Sequence, residues 1–188
     1  MGIALEESKT QNANQTAARE QLRLALDQGE AYQHALESMI LKVADDGQEQ
    51  RVQDYMVAYA IEPADGFYEL VDDEWHWREP QDENIYLQIF VRDANDRRFI
   101  PGLNIYATLS DGAGNIIGIR RQPFVWHPWL YHYGGNWQVP KDGLYSLKVR
   151  IEAPTFRRRD KSYGWRYLEP LEIDFRQVKI DTGHKYSG

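Results

Sequence analysis

The chain has 188 residues, with 22 lysines and arginines against 29 aspartates and glutamates, and a formal net charge of −7. Its length fits about one domain, and its negative charge argues against a nucleic-acid partner, which would bind a basic surface. The absence of cysteine excludes disulfides, thiol catalysis and Cys-ligated metals. No run of about 18 apolar residues is present, so we expect no membrane span. The N-terminus lacks the basic and apolar regions of a secretory signal peptide.

A helical pattern covers residues 16–44, after a polar N-terminus that we expect to be frayed. A stripe of mostly apolar residues follows heptad spacing, and its members are Leu22, Leu26, Gly29, Gln33, Leu36, Ile40 and Val43. Such a stripe is typical of a helix with one packed face. A turn at residues 27–29 is the alternative, because glycine costs a helix about 1 kcal/mol relative to alanine. With Gly47 as a stop signal, we predict a helical segment over residues 1–47 and a second domain over residues 48–188.

After Gly47 the hydrophobic period changes from helical to the alternation typical of strands. Strands are predicted over residues 52–61, 84–91, 103–109, 116–121, 144–152 and 171–180, with a hairpin turn at 111–115. Alternation in the second places Ile85, Leu87, Ile89 and Val91 on one face, and Tyr86, Gln88 and Phe90 on the other. The fold class is therefore mostly β: an immunoglobulin-like antiparallel β-sandwich preceded by one long N-terminal helix. Tyr145 is expected to be structural, its hydroxyl bonding upstream backbone as in a tyrosine corner.

Residues 62–83 carry nine acidic side chains against a single arginine, Arg78. One interpretation is a solvated loop that faces a basic patch on the same molecule, including Arg157, Arg158 and Arg159. The alternative is a surface that attracts cations or docks a partner.

Two aromatic stretches, residues 74–77 and 126–137, contain three of the five histidines, His76, His127 and His132. Imidazole is the commonest metal ligand near neutral pH, although these rings could instead hydrogen-bond backbone within an aromatic cluster. The same stretches carry Trp75, Trp77, Trp126, Trp129 and Trp137. On loops, these indoles could form a platform that stacks on sugar rings or cations, or could cap the open end of the sandwich.

Motifs for catalysis are missing from the sequence. It contains no G-x-S-x-G nucleophile motif, no H-E-x-x-H zinc motif and no glycine-rich phosphate loop that joins a strand to a helix. We therefore expect no catalytic residues, and the chain is predicted not to be an enzyme.

The C-terminal part carries a series of motifs in a recognisable order. They are His132-Tyr133-Gly134, Asn136, Asp142-Gly143-x-Tyr145-x-Leu147, Pro154, Gly164, Glu169-Pro170, Phe175 and Val178-Lys179-x-x-Thr182-Gly183. Over residues 50–183 the chain resembles the periplasmic iron-transport protein family, the small extracytoplasmic metal-binding partners of high-affinity iron permeases. The resemblance implies an immunoglobulin-like β-sandwich, a homodimer, a copper or iron ion as cofactor, and a membrane permease as a possible partner.

The resemblance also implies where metal ligands would lie, and most of those positions have changed. The family's His-x-Glu pair corresponds to Tyr86 and Gln88, its methionine to Phe124, and its late histidine, from the partner subunit, to a position near Arg158. Only His132 keeps its ligand type. The inherited site is therefore degenerate, or it has been relocated onto His76, His127 and His132 with a nearby carboxylate. Three imidazoles and a carboxylate would suit Cu(II), Zn(II) or Fe(II).

These observations predict a non-catalytic extracytoplasmic domain, periplasmic or on the cell surface, related to iron- and copper-binding transport proteins. Two alternatives stay open at this point. One is a metal-free interaction or oligomerisation module that uses the helix stripe, and the other is a carbohydrate-binding domain that uses the aromatic platform.

Overall fold

A computed structural model describes residues 2–161 and 164–183, and side chains from residue 15 onward. The described residues form one helix followed by eleven strands. In chain order these are α1 (Gly2–Lys42), β1 (Asp46–Val52), β2 (Tyr55–Pro63), β3 (Phe67–Val71), β4 (Glu74–Arg78), β5 (Ile85–Asp93), β6 (Ile105–Ser110), β7 (Ile116–Gln122), β8 (Phe124–Val125), β9 (His132–Trp137), β10 (Gly143–Ile151) and β11 (Leu171–Ile180).

The strands form two larger sheets and a separate hairpin, all antiparallel. One sheet has the order β1-β2-β5-β9-β8, the other has the order β11-β10-β6-β7, and β3 pairs with β4. The two sheets enclose a common apolar core, so the predicted fold class, a β-sandwich behind a single N-terminal helix, is confirmed.

The core lies where the alternation of the strands predicts. In β5, Ile85, Leu87, Ile89 and Val91 are all 1% exposed or less. Across the sandwich, β10 contributes Tyr145, Leu147, Val149 and Ile151, while the residues between them are exposed. The hydroxyl of Tyr145 donates to the backbone carbonyl of Lys141 over 2.7 Å and fixes the entry into β10.

Helix α1 packs on the outer face of the five-stranded sheet. Its Leu36 is buried against Ala58 and Ala60 of β2 and Phe90 of β5. Because the two alanine side chains are small, the helix can approach the sheet closely. A Cβ at Gly29 would lie 1.6 Å from the carbonyl oxygen of Asp96, so only glycine fits at this crossing.

The helix differs from its prediction at both ends, but it is continuous through its middle, as predicted. It begins at Gly2 rather than at residue 16 and ends at Lys42 rather than at residue 44. It runs unbroken through Gly29, so the alternative turn at residues 27–29 is wrong. Three members of the predicted stripe, Leu22, Leu26 and Val43, are exposed, so only its middle part packs against the sheet. The boundary between residues 47 and 48 stays a prediction, and β1 begins at Asp46.

The first predicted strand, residues 52–61, is two strands. Gln53 and Asp54 form a two-residue turn between β1 and β2, and Gln53 has a φ of 52°. Neither residue is a glycine or a proline, so the turn has little signature in the sequence.

Residues 62–83 are largely exposed to solvent, as interpreted, but they contain the β3–β4 hairpin and are not a loop. The hairpin begins beside the start of β5, where the Phe67 ring lies 6.5 Å from that of Tyr86. Arg158 lies at the other end of β5, since it bonds the carbonyl of Tyr167, whose hydroxyl contacts Asp93. The acidic segment therefore does not face the basic patch of its own chain.

Candidate functional site

His132 is the centre of the candidate site and is held at both ring nitrogens. It is the first residue of β9 and is 3% exposed. Its Nδ1 lies 2.9 Å from the carbonyl oxygen of Leu130, and its Nε2 lies 2.7 Å from the hydroxyl of Tyr86. A carbonyl can only accept, so Nδ1 carries the proton, and the Nε2 lone pair of the neutral ring accepts from Tyr86.

Burial keeps this imidazole neutral. Burial, with a smaller contribution from the neighbouring His127, lowers the pKa of His132 to about 4, although the hydrogen bond to the Leu130 carbonyl acts in the opposite direction. The rings of Tyr86 and Phe90 each lie 5.7 Å from that of His132, so its surroundings are largely apolar. At neutral pH the side chain is therefore a neutral imidazole whose only lone pair is already engaged.

Tyr86 faces the outer side of β5 and remains a phenol. Burial raises its pKa well above the usual range, and the negative charges of Glu62 and Asp65 act in the same direction. Glu62 on β2 lies directly opposite Tyr86 in the strand register. Tyr86 is therefore a hydrogen-bond donor toward His132 at neutral pH.

Gln88 lies two residues along the same face of β5. Its amide nitrogen donates to a carboxylate oxygen of Glu62 over 2.5 Å. Burial raises the pKa of Glu62, and the bond from Gln88 opposes that shift. Gln88 thus donates to a neighbouring carboxylate and brings no negative charge of its own.

Gly134 allows this arrangement to form. It lies opposite Gln88 in the pairing of β5 with β9. A Cβ there would lie 2.6 Å from the carbonyl oxygen of Leu87 and 3.2 Å from the Tyr86 hydroxyl. Glycine therefore leaves the space in which Tyr86 and His132 meet.

His76 and His127 occupy different settings from His132. The ring of His127 lies 6.1 Å from that of His132, but its Nδ1 accepts from the backbone N–H of Trp129 over 3.3 Å. His76 is exposed on β4, with Nε2 3.7 Å from a carboxylate oxygen of Glu74. In the part of the chain that the structure describes, no three histidines or carboxylates are grouped so that they could hold a metal ion.

Phe124 and Arg158, the remaining positions implied by the resemblance, do not join His132. Phe124 on β8 is paired with Tyr133, so it lies on the opposite side of the strand from the position paired with His132. Its ring packs within 6.0 Å of those of Phe99 and Tyr133. The guanidinium of Arg158 lies over the ring of Phe156, at the far end of β5. The structure thus brings together Tyr86, Gln88 and His132 only.

The aromatic platform is also only partly assembled. Trp126 and Trp129 are exposed beside β8, and Trp75 and Trp77 are exposed on the β3–β4 hairpin. Trp137 is 1% exposed in the core, with the guanidinium of Arg120 over its ring, so its placement on a loop platform is wrong.

Glu62 and Gly134 are the site residues that sequence reasoning missed. In the sequence, Glu62 is one of nine acids in residues 62–83 and has no distinguishing pattern. The pairing of β2 with β5 places it opposite Tyr86. Gly134 was recognised as part of a motif, but its role follows from atoms on β5 that no local pattern reveals.

No helix among the described residues is long and apolar enough to cross a membrane.

Comparison with known proteins gave structural matches only. No protein-family model matches the chain, and no curated protein matches it. FetP of uropathogenic Escherichia coli strain F11, expressed in the periplasm, is 18% identical over 72% of this chain and 95% of FetP, with a TM-score of 0.55. A copper-bound FetP variant is 19% identical over 76% of this chain and 94% of its own, with a TM-score of 0.56.

A second neighbour comes from another organism. Copper-reconstituted P19 of Campylobacter jejuni is 18% identical over 72% of this chain and 96% of P19, with a TM-score of 0.59. These proteins match along nearly their whole length, so the chain shares the fold of FetP and P19.

Proposed function

We propose that the chain is a non-catalytic extracytoplasmic domain related to metal-binding transport proteins, in which the inherited metal position is degenerate. The shared fold with FetP and copper-reconstituted P19 supports the relationship. The order of motifs from His132 to Gly183 supports it independently. The extracytoplasmic location, the homodimer and a permease partner rest on the same resemblance and are part of this proposal.

The hydrogen bond between Tyr86 and His132 carries the proposal of degeneracy. Nε2 is the only nitrogen of the neutral ring whose lone pair could bind a metal, and this bond occupies that lone pair. The remaining groups are a phenol and a neutral amide, which are poor ligands for copper beside a single imidazole. Relocation onto His76 and His127 finds less support, because Nδ1 of His127 is bonded to backbone and His76 lies on the separate hairpin.

Copper titration by calorimetry tests this proposal in four proteins. We expect wild type to bind Cu(II) no more tightly than about 0.1 mM. The double variant Tyr86→His/Gln88→Glu, which restores the family's ligand types beside His132, should bind at least about tenfold more tightly. His132→Ala should match wild type, and His34→Ala, which removes an exposed helix histidine, controls for adventitious binding.

One pattern would overturn the proposal. If wild type binds Cu(II) at low micromolar concentration and His132→Ala abolishes that binding while His34→Ala does not, the position is functional. The domain would then be a copper-binding protein with an altered ligand set.

A further inference from the structure

The connection between β8 and β9 presents a group of exposed aromatic side chains. It spans residues 126–131 and contains Trp126, Trp129 and Tyr131, which are 69%, 81% and 46% exposed. The ring of Phe124 on β8, itself 48% exposed, lies 6.0 Å from that of Tyr131. We call these four side chains the aromatic surface. A group of exposed aromatic side chains of this size typically marks an interaction site.

The backbone beneath the aromatic surface is anchored to the sandwich. Leu130 is buried in a cluster with side chains of α1, β2 and β5. The hydroxyl of Tyr32 on α1 donates to the carbonyl of Tyr131. The backbone N–H of Trp129 donates to Nδ1 of His127 over 3.3 Å. The connection is therefore held in one position while its two indoles stay exposed.

The segment that carries the aromatic surface has no formal charge. Residues 122–140 contain no aspartate, glutamate, lysine or arginine, whereas 27% of the chain is charged and about five such residues would be expected in a stretch of this length. Burial of a charged side chain in a lipid bilayer is costly, whereas a protein interface accommodates charges at its rim. Tryptophan and tyrosine are enriched where a membrane meets water. This combination therefore favours a bilayer over a protein partner.

The β3–β4 hairpin offers a comparison, because it also exposes two tryptophans. Trp75 and Trp77 are 68% and 50% exposed. However, Asp72 and Asp73 form the turn at the tip of that hairpin and are themselves exposed. Insertion of the hairpin tip into a bilayer would bury two carboxylates. Exposed tryptophan is thus common to both regions, and only the β8–β9 connection combines it with a tip that lacks charge.

We propose that the aromatic surface inserts Trp126 and Trp129 into the interface of a lipid bilayer and so holds the domain reversibly at a membrane. A single apolar anchor gives weak, reversible binding. The ring of His127 lies 6.1 Å from that of His132, so the candidate site lies close to the inserted connection. This inference goes beyond the proposed function, and it depends neither on copper nor on the homodimer.

Co-sedimentation of the full-length chain with phosphatidylcholine vesicles tests the proposal. These vesicles are zwitterionic, so they offer a chain of net charge −7 no long-range electrostatic attraction. We expect at least half of the wild-type protein to be bound at about 1 mM accessible lipid. Because the inserted segment is uncharged, the partition coefficient should change less than about twofold between about 0.05 M and about 0.5 M salt.

Single substitutions locate the contact. Trp126→Ser and Trp129→Ser should each lower the partition coefficient at least about tenfold, because each removes a large apolar side chain from the bilayer. Trp75→Ser, at matched exposure on the hairpin, is the control and should leave the partition coefficient within about twofold of wild type. Near-ultraviolet circular dichroism verifies that each variant is folded.

Three results would overturn the proposal. The first is a wild-type protein that is less than half bound at about 1 mM lipid, which would leave the aromatic surface to a protein or carbohydrate partner. The second is binding that Trp75→Ser weakens as much as Trp129→Ser does, which would show that the contact is not specific to the β8–β9 connection. The third is binding that salt abolishes, which would show adsorption through charge.

Discussion

The two faces of strand β5 carry different kinds of side chain. Its inner face, Ile85, Leu87, Ile89 and Val91, is uniformly aliphatic and meets the opposite sheet. Its outer face changes character at every step, through Tyr86, Gln88, Phe90 and Arg92. Each of these side chains meets a different element, although all four are on one strand.

The outer face is completed by segments that are remote in sequence. Phe90 is covered by Leu36 of α1, and buried Arg92 contacts Gln33 of α1 and Glu49 of β1. Tyr86 meets His132, and Gln88 meets Glu62. An aliphatic face is stabilised by burial alone, whereas a mixed face depends on specific partners. We therefore expect substitutions on the two faces to lower the free energy of unfolding by different amounts.

The inner face should be the most sensitive to truncation. Ile89→Ala leaves a cavity in the fully buried core and should lower the free energy of unfolding by about 3–5 kcal/mol. Ile119→Ala provides the matched control, because Ile119 is 63% exposed, and it should cost less than about 0.5 kcal/mol. Urea unfolding measures both, and equal losses would show that the core is misassigned.

Truncation of the buried side of helix α1 should cause the next largest loss of stability. Leu36→Ala removes the buried contact of α1 with the sheet, and we expect a loss of about 3 kcal/mol in urea unfolding. Leu41→Ala, on the exposed side of the same helix, should change stability little. If Leu36→Ala costs no more than Leu41→Ala, helix α1 is not docked as described.

Acid should weaken the fold through His132. The ordinary histidine pKa is near 6.5, and burial lowers that of His132 to about 4. Between these values the unfolded chain takes up a proton that the folded chain does not, so this contribution to stability is present above pH 6.5 and is lost toward pH 4. The loss is on the order of 3 kcal/mol.

Comparison with a variant isolates this contribution. His132→Gln has no imidazole to titrate, so its stability should fall less steeply over the same range. Subtracting the two pH profiles removes the contribution of Glu62, which titrates in both proteins. Parallel profiles would contradict a lowered pKa for His132.

Loss of the Tyr86 hydroxyl should have the smallest effect. Tyr86→Phe removes the donor and leaves Nε2 of buried His132 without that partner, so we expect a loss of about 1–2 kcal/mol in urea unfolding. Tyr68→Phe, at an exposed position on the hairpin, is the control and should be near neutral. A neutral Tyr86→Phe would show that the bond contributes no stability.

Six of the eleven strands, namely β2, β5, β6, β7, β10 and β11, were predictable from sequence, whereas β1, β3, β4, β8 and β9 were not predicted. Residues 171–180 coincide with β11, and the two faces of β5 follow from alternation. The β1–β2 turn was missed because Gln53 and Asp54 are not typical turn-forming glycines or prolines. The start of the helix was missed because residues 1–15 lack the apolar period on which the prediction relied.

The candidate site was less predictable than the fold. The resemblance placed Tyr86, Gln88 and His132 at corresponding positions, and the structure brings these three together. The bond that closes the site depends on a side-chain orientation, and the role of Glu62 depends on strand register. Neither the side-chain orientation nor the strand register can be predicted from the spacing of residues along the chain.

Nitrogen-15 magnetic resonance of the His132 ring tests the central claim most directly. At pH 7 we expect a neutral ring with the proton on Nδ1 and an Nε2 that accepts from Tyr86, and we expect both signals to persist when one equivalent of Cu(II) is added. Selective loss of the His132 ring signals at one equivalent, with those of His34 retained, would show that the lone pair is available to metal and would contradict the account.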